Sequence, residues 1–211
     1  MQLTVANNKE DVPIFATVSL SKYSDPAGPG AYGSYVEGWA LYAESLGHQM
    51  EGIYERDNQI FGFYSLNLLR ASRLVVDTGL HALGWTRQQA VDYLVANSFQ
   101  SKASCESEID RYITWPGQAL NYKMGERKIK DVLRAMKEET SADGQQFDLV
   151  TFHDAVLNCN GPLNVLEECV RTYLETKNTG ESKVQQVKGE DNPVAKDDGA
   201  SLEDVLAGSE N

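Results

Sequence analysis

An all-α fold, arranged as an irregular multi-helix bundle, is predicted by three observations. Apolar residues recur at steps of three and four along most of the chain up to about Glu175, the period of a helix with one buried face. Nowhere does an alternation of apolar and polar residues persist long enough for a half-buried strand, and no internal repeat marks a solenoid. Residues that start and stop helices sit at the joints between the periodic stretches.

The stretch from Tyr23 to Gly33, YSDPAGPGAYG, is dense in Pro and Gly. Proline removes a backbone donor and glycine loosens the chain, so a loop is expected there. Ser34 then caps a first helix through YVEGWALYAESLGHQMEGIYER, and a second runs from about Asn58 to a stop at Gly84. Thr86 with Gln89 fits a capping box that opens a third helix over RQQAVDYLVANS. A fourth, CESEIDRYITW, is halted by Pro116, which also suits the first position of a long fifth helix, GQALNYKMGERKIKDVLRAMKEE. After a SADGQQ turn come FDLVTFHDAVLNCNG and PLNVLEECVRTYLE, Gly161 ending one and Pro162 beginning the other. Residues 1–176 are thus expected to form a single helical domain. Residues 177–211 are rich in Lys, Glu, Asp, Gly, Asn and Ser and cannot bury enough apolar surface to offset their ordering entropy, so a disordered acidic tail is expected.

Charge narrows the function classes. A formal net charge of -12 opposes binding to a phosphate backbone, which needs a basic surface, so no nucleic-acid partner is expected. No stretch approaches the roughly 20 apolar residues of a membrane-spanning helix. The first residues, MQLTVANNKEDVP, lack the basic and apolar segments of a signal peptide. Cys105, Cys159 and Cys169 are odd in number and spaced unlike a metal knuckle, which favours buried free thiols in a reducing, cytoplasmic setting over a disulfide.

The informative residues are polar ones on largely apolar helices. Glu37, Leu41, Glu44 and His48 fall at steps of four, three and four, so two carboxylates and an imidazole share a stripe, while Val36, Trp39, Ala40, Ala43 and Leu46 cover the other faces. On the next helix Arg70, Arg73, Asp77 and His81 make a comparable stripe. Buried charges are costly unless paired, hydrogen-bonded or bound to metal, so the two stripes predict either a salt-bridge lattice or a metal or catalytic site between facing helices. His48, His81 and His153 are the only histidines and no two lie four apart, so the chain contains no HExxH zinc pair. His153 is expected to be structural.

The runs YVEGWALYAESLG, RASRLVVDTGLHALGWTRQQAVDYL, DRYITWPGQALNYKMGERKI and FHDAVLNCNGPLNVLEE occur in order between about Gln2 and Glu175 and resemble the DUF885 family, a group of HExxH-containing proteins placed among gluzincin-type metallopeptidases. The resemblance implies a helical gluzincin-like fold in which a segment of the form HExxGHHLQ precedes these runs. Gln2 and Leu3 would follow on from its end, through a late-starting gene model or a real truncated product. It further implies zinc and a peptide substrate in the complete protein, with Glu37 as third zinc ligand, Glu44 in support, and Tyr112 as donor to a tetrahedral oxyanion. Arg111 would hold an anion or a substrate carboxylate, although an ion pair with Glu108 or Asp110 explains it equally well. His81 would polarise substrate or back up a ligand, with Arg73 and Asp77 behind it, although a lone histidine on a packed helix is more often a satisfied core residue. Gln118 and Tyr122 either line a cleft or pack. An open, apolar and acidic cleft around Glu37, Glu44 and Asp77 follows from the missing segment.

Two functions are therefore expected in competition. In the first, the chain is part of a zinc-dependent peptidase or carboxypeptidase-like hydrolase, inactive alone. In the second, it is a non-catalytic helical protein whose buried charges are structural and whose acidic tail recruits a partner.

Overall fold

The computed structural model describes residues 32–142, 144 and 146–179. These all fall in the first of two units, Met1–Gly180, and the second, Glu181–Asn211, lies outside them. The loop expected from Tyr23 and the tail expected from 177 lie mostly outside them too; the described part of the tail, to Thr179, is helical. Among the described residues there is no strand, and the fold they make is all-α.

Among the described residues seven α-helices follow in order: α1 Gly33–Leu46, α2 Asp57–Ala82, α3 Arg87–Ala96, α4 Lys102–Thr114, α5 Asn121–Ala142, α6 Leu149–Asn158 and α7 Leu166–Thr179. Short 3₁₀ turns follow α1, at Gly47–Gln49, and precede α5, at Gln118–Leu120. The starts of α3, α4 and α6 are set by side chains that satisfy unpaired amide groups. Thr86 Oγ1 accepts from the Gln89 N–H while Gln89 Oε1 accepts from the Thr86 N–H, the reciprocal box expected of α3. Ser101 caps α4 through the Ser104 N–H, and Asp148 caps α6 through the amides of Val150 and Thr151.

Several helices differ from expectation: Ser34 lies inside α1, its hydroxyl donating to Asn121 rather than capping, and α7 begins at Leu166, four residues after Pro162. The first ends at Leu46 rather than running on to Arg56, because Gly47 turns the chain into a 3₁₀ segment packed on Tyr54. The fifth begins at Asn121, not Pro116, because Gly117 adopts a φ of 82°, a left-handed conformation that glycine enters without a Cβ clash.

Two apolar clusters form the interior. One gathers Tyr35 and Tyr42 of α1, Ile129, Val132 and Met136 of α5, Phe152, Ala155 and Val156 of α6, and Leu166 and Val170 of α7. The other gathers Leu69 and Val76 of α2, Ala90, Val91 and Leu94 of α3, Cys105, Ile109 and Tyr112 of α4, and Ala119. Fully burying one such aliphatic or Phe side chain stabilises the fold by about 1.5–3 kcal/mol.

Helices α1 and α5 pack backbone to backbone, and the cause is a pair of glycines. A Cβ built on Gly38 would lie 2.3 Å from Gly125 Cα, and one on Gly125 would lie 1.7 Å from the Ser34 carbonyl oxygen. No side chain fits either position, so the backbones touch. At the far end of this half, Cys159 and Cys169 form a disulfide with a Cα–Cα distance of 5.7 Å, and Cys105 remains a buried free thiol. The expectation of three free thiols is corrected: the Asn160, Gly161 and Pro162 turn reverses the chain and sets the start of α7 against the end of α6, a juxtaposition that spacing alone does not reveal.

Candidate functional site

Of the residues singled out in the sequence, the structure brings Arg73, Arg111 and Tyr112 together around a carboxylate, Glu108. One turn separates Glu108 from Tyr112 and Arg111 on α4, so all three share a face. That face meets Arg73 of α2. Glu108 Oε2 accepts from Arg73 Nη2 at 2.9 Å, Arg111 Nη2 at 3.0 Å and the Tyr112 hydroxyl at 2.5 Å. Arg73 Nε donates to the same hydroxyl at 2.7 Å, and Arg111 Nη1 donates to Gln118 Oε1 at 2.9 Å. The guanidinium groups also lie over rings: Arg111 over Tyr112 at 4.8 Å and Arg73 over Tyr122 at 4.9 Å, contacts that favour a cation where water is scarce.

The electrostatics follow from this crowding. Burial by itself would raise the Glu108 carboxyl, but hydrogen bonds from Arg111 and Tyr112 and the charges of Arg73 and Arg111 outweigh it and hold Glu108 below the ordinary carboxylate range. Burial is the chief cause that drives the Tyr112 hydroxyl far above its ordinary value, so it stays protonated. Its oxygen and its proton are both engaged within the cluster, between Arg73 and Glu108.

Asp77 forms a second closed contact. Only 1% exposed, its carboxylate accepts the Gly117 N–H at 3.0 Å on each oxygen, an amide that points there because of the left-handed Gly117 backbone. His81, one turn on, places Nε2 3.8 Å from Asp77 Oδ1 and 3.0 Å from the Tyr112 carbonyl oxygen. Asp77 therefore joins α2 to the turn before α5, and it does not pair with Arg73 as its spacing allows. The open cleft expected around Glu37, Glu44 and Asp77 is not found at Asp77, which is sealed.

The α1 stripe separates in the structure. Glu37 is half-buried and has no hydrogen bond or ion pair to a described residue. Glu44 reaches across to Arg70 of α2 at 3.5 Å. His48 lies beyond α1, exposed, stacked against Tyr54, Phe63 and Tyr64. His153 lies against Trp39 and bonds the Tyr42 hydroxyl at 2.8 Å, with burial the main cause that holds its imidazole below the ordinary value. Sequence reasoning misses a further carboxylate: Glu126 of α5, 3% exposed, takes Lys123 at 2.5 Å and Lys130 at 2.6 Å, and Lys123 also reaches Asn67 of α2. The signal for it is the run KMGERKIK, which sets one lysine three residues before a glutamate and another four after it.

These clusters do not make a metal centre. Among the described residues no group of three or more His, Cys, Asp or Glu stands where it could hold a metal ion. This overturns the reading of the chain as the supplier of a zinc ligand from Glu37, and with it the peptidase, gluzincin and hydrolase readings. Glu37, Glu44 and His48 share a helix face in the sequence but diverge to separate surroundings. No helix among the described residues is long and apolar enough to cross a membrane.

Fold and site together define a helical bundle with two apolar clusters and several internal ion pairs. The chain belongs to the DUF885 family, described as "Bacterial protein of unknown function (DUF885)", whose pattern it matches over residues 1–170. It is similar to a solved structure, "The crystal structure of the putative lipoprotein from Colwellia psychrerythraea", with 42% sequence identity and a TM-score of 0.63 over 69% of this chain. The chain spans 24% of that protein's length. No curated protein matches it.

Proposed function

We propose that this stretch serves the DUF885 architecture as a non-catalytic helical interaction and structural module, whose charged residues clamp helices to one another. The observation that supports it best is the state of Glu108: both oxygens face partners inside the cluster, from Arg73, Arg111 and Tyr112. Groups that bind substrate keep donors or acceptors free for it; these are consumed internally. Asp77 supports the same reading, since its carboxylate is filled by a backbone amide.

A structural lattice has a distinctive response to mutation. Removing one member strands the others, whereas replacing the set with apolar residues of similar volume is close to neutral. Glu108→Gln should lower stability by about 1–3 kcal/mol in urea melts, since the cluster is only partly buried. The combined replacement Arg73→Met, Glu108→Leu and Arg111→Met should recover most of that loss. A Glu108→Gln protein as stable as the parent would refute the clamp.

The Cys159–Cys169 disulfide and the lipoprotein name of the Colwellia relative support a setting outside the reducing cytoplasm. Alkylation of the denatured protein, taken from its native cells without reductant, should then modify one thiol per chain, Cys105. Three modified thiols would place it in a reducing compartment.

A further inference from the structure

The longest helix, α2, carries a face that the described bundle leaves open. Phe61, Tyr64, Leu68, Ala71, Val75 and Thr78 follow at steps of three, four, three, four and three, the seam spacing of a helix that packs along another helix. Four of these are large and exposed: Phe61 56%, Tyr64 59%, Leu68 41% and Val75 39%. The seam runs about 25 Å along the helix at about 1.5 Å per residue. Phe99, itself exposed, stacks on Phe61 at 5.1 Å and widens the apolar surface.

What flanks the seam is as informative. No charged residue occurs between Asp57 and Arg70 in a chain that is 24% Asp, Glu, Lys and Arg. A solvated helix face is normally lined with charge, and an uncharged one this long marks a contact surface. A Cβ at Gly62 would meet no atom of the described residues within 4 Å. The flank is therefore open to a close-approaching backbone. The positions beside the seam, Ser65 and Asn67 among them, carry no charge to set the register of a symmetric pair.

We infer that the α2 seam is the seat of an amphipathic helix from the part of the DUF885 architecture that this chain does not span. The stretch shared with this chain is 24% of the Colwellia protein, so the architecture has ample further polypeptide to cover the seam. The occupant is apolar along one stripe and docks lengthwise, its side chains seated between those of α2 as in paired helices of a coiled coil. This names the partner of the module proposed above and rests on that reading. The Glu108 melts report the lattice and not the seam, so the two fail separately.

The test compares two intact proteins. Single cysteines are placed at Leu68 and Val75 here, and at the equivalent positions of the full-length Colwellia protein, and maleimide labelling is timed in each. Labelling should be at least about tenfold slower in the full-length protein, where reaction must wait for local opening. Equal rates would overturn the inference. Sedimentation of this chain over a range of concentrations supplies the rival outcome: a dimer abolished by Leu68→Lys or Val75→Lys would assign the seam to a second copy instead. Both lysine variants lie on an exposed face and should keep the parent helical circular dichroism spectrum.

Discussion

The half built from α1, α5, α6 and α7 and the half built from α2, α3 and α4 hold together by different means. The first buries large side chains, Tyr35, Tyr42 and Phe152, brings two backbones into contact through Gly38 and Gly125, and closes its end with a disulfide. The second has a somewhat smaller interior, Leu69, Val76, Ala90, Val91, Leu94, Cys105, Ile109 and Tyr112 with Ala119 from the turn before α5. Its ionic cluster ties α2 to α4, whereas the buried Glu126 of the first half pairs with lysines of its own helix. Close packing gains dispersion and excludes water without regard to charge, while an ion pair gains only what remains after desolvation. The first half is thus the more self-sufficient, and the second keeps one helix face for something else.

That contrast can be broken most severely at Gly125. Gly125→Ala puts a methyl 1.7 Å from the Ser34 carbonyl oxygen, so α1 and α5 must separate. The cost should be about 3 kcal/mol or more, above the usual range for overpacking, because backbone rather than a flexible side chain has to move. A urea midpoint within error of the parent would show that the helices separate freely. Gly62→Ala in the second half, where the added methyl meets no described atom within 4 Å, is the matched control and should be neutral or slightly stabilising.

Acid sharpens the comparison with a smaller effect. His153 is held below its ordinary value of 6.5, so the unfolded chain takes up the proton first and stability falls as pH drops below about 6.5. Glu108 is held below its ordinary value of 4.5. Its contribution is present above that value and is lost as pH falls through the lower folded one. The first half should therefore loosen before the second. Trp39, whose ring centroid lies 5.7 Å from that of His153, reports the first half by fluorescence, and Trp85, packed in the second cluster, reports the other. With Trp115, the third tryptophan, replaced by Phe, simultaneous changes at Trp39 and Trp85 on acidification would contradict the order.

Much of the fold is legible in the letters because its signals are local. Thr86 and Gln89 announce α3, and the periodicity of α2 and α5 announces long helices, since each depends only on neighbours within a turn or two. The ends read less well: the left-handed backbone at Gly117 delays α5, and the Pro116–Gly117 pair, which suits a tight turn as well as a helix start, does not by itself say which of the two it marks. The stripe on α2 is readable as a polar network, but its partners are not, because spacing along one helix cannot say which residues a second helix presents. Arithmetic pairs Arg73 with Asp77, whereas in space it meets Glu108. The metal reading of Glu37 fails for a related reason. A carboxylate among apolar neighbours in sequence reads as enclosed, yet helix geometry leaves it half-exposed.

The bridge between Cys159 and Cys169 turns the segment between them into a covalent ring. A protease that cuts any peptide bond inside that ring, the Asn160 to Gly161 bond included, adds one water to the mass and severs nothing. Helix α7 stays attached through sulfur after its peptide link is gone, so a nicked molecule and an intact one differ on a gel only once reductant is added.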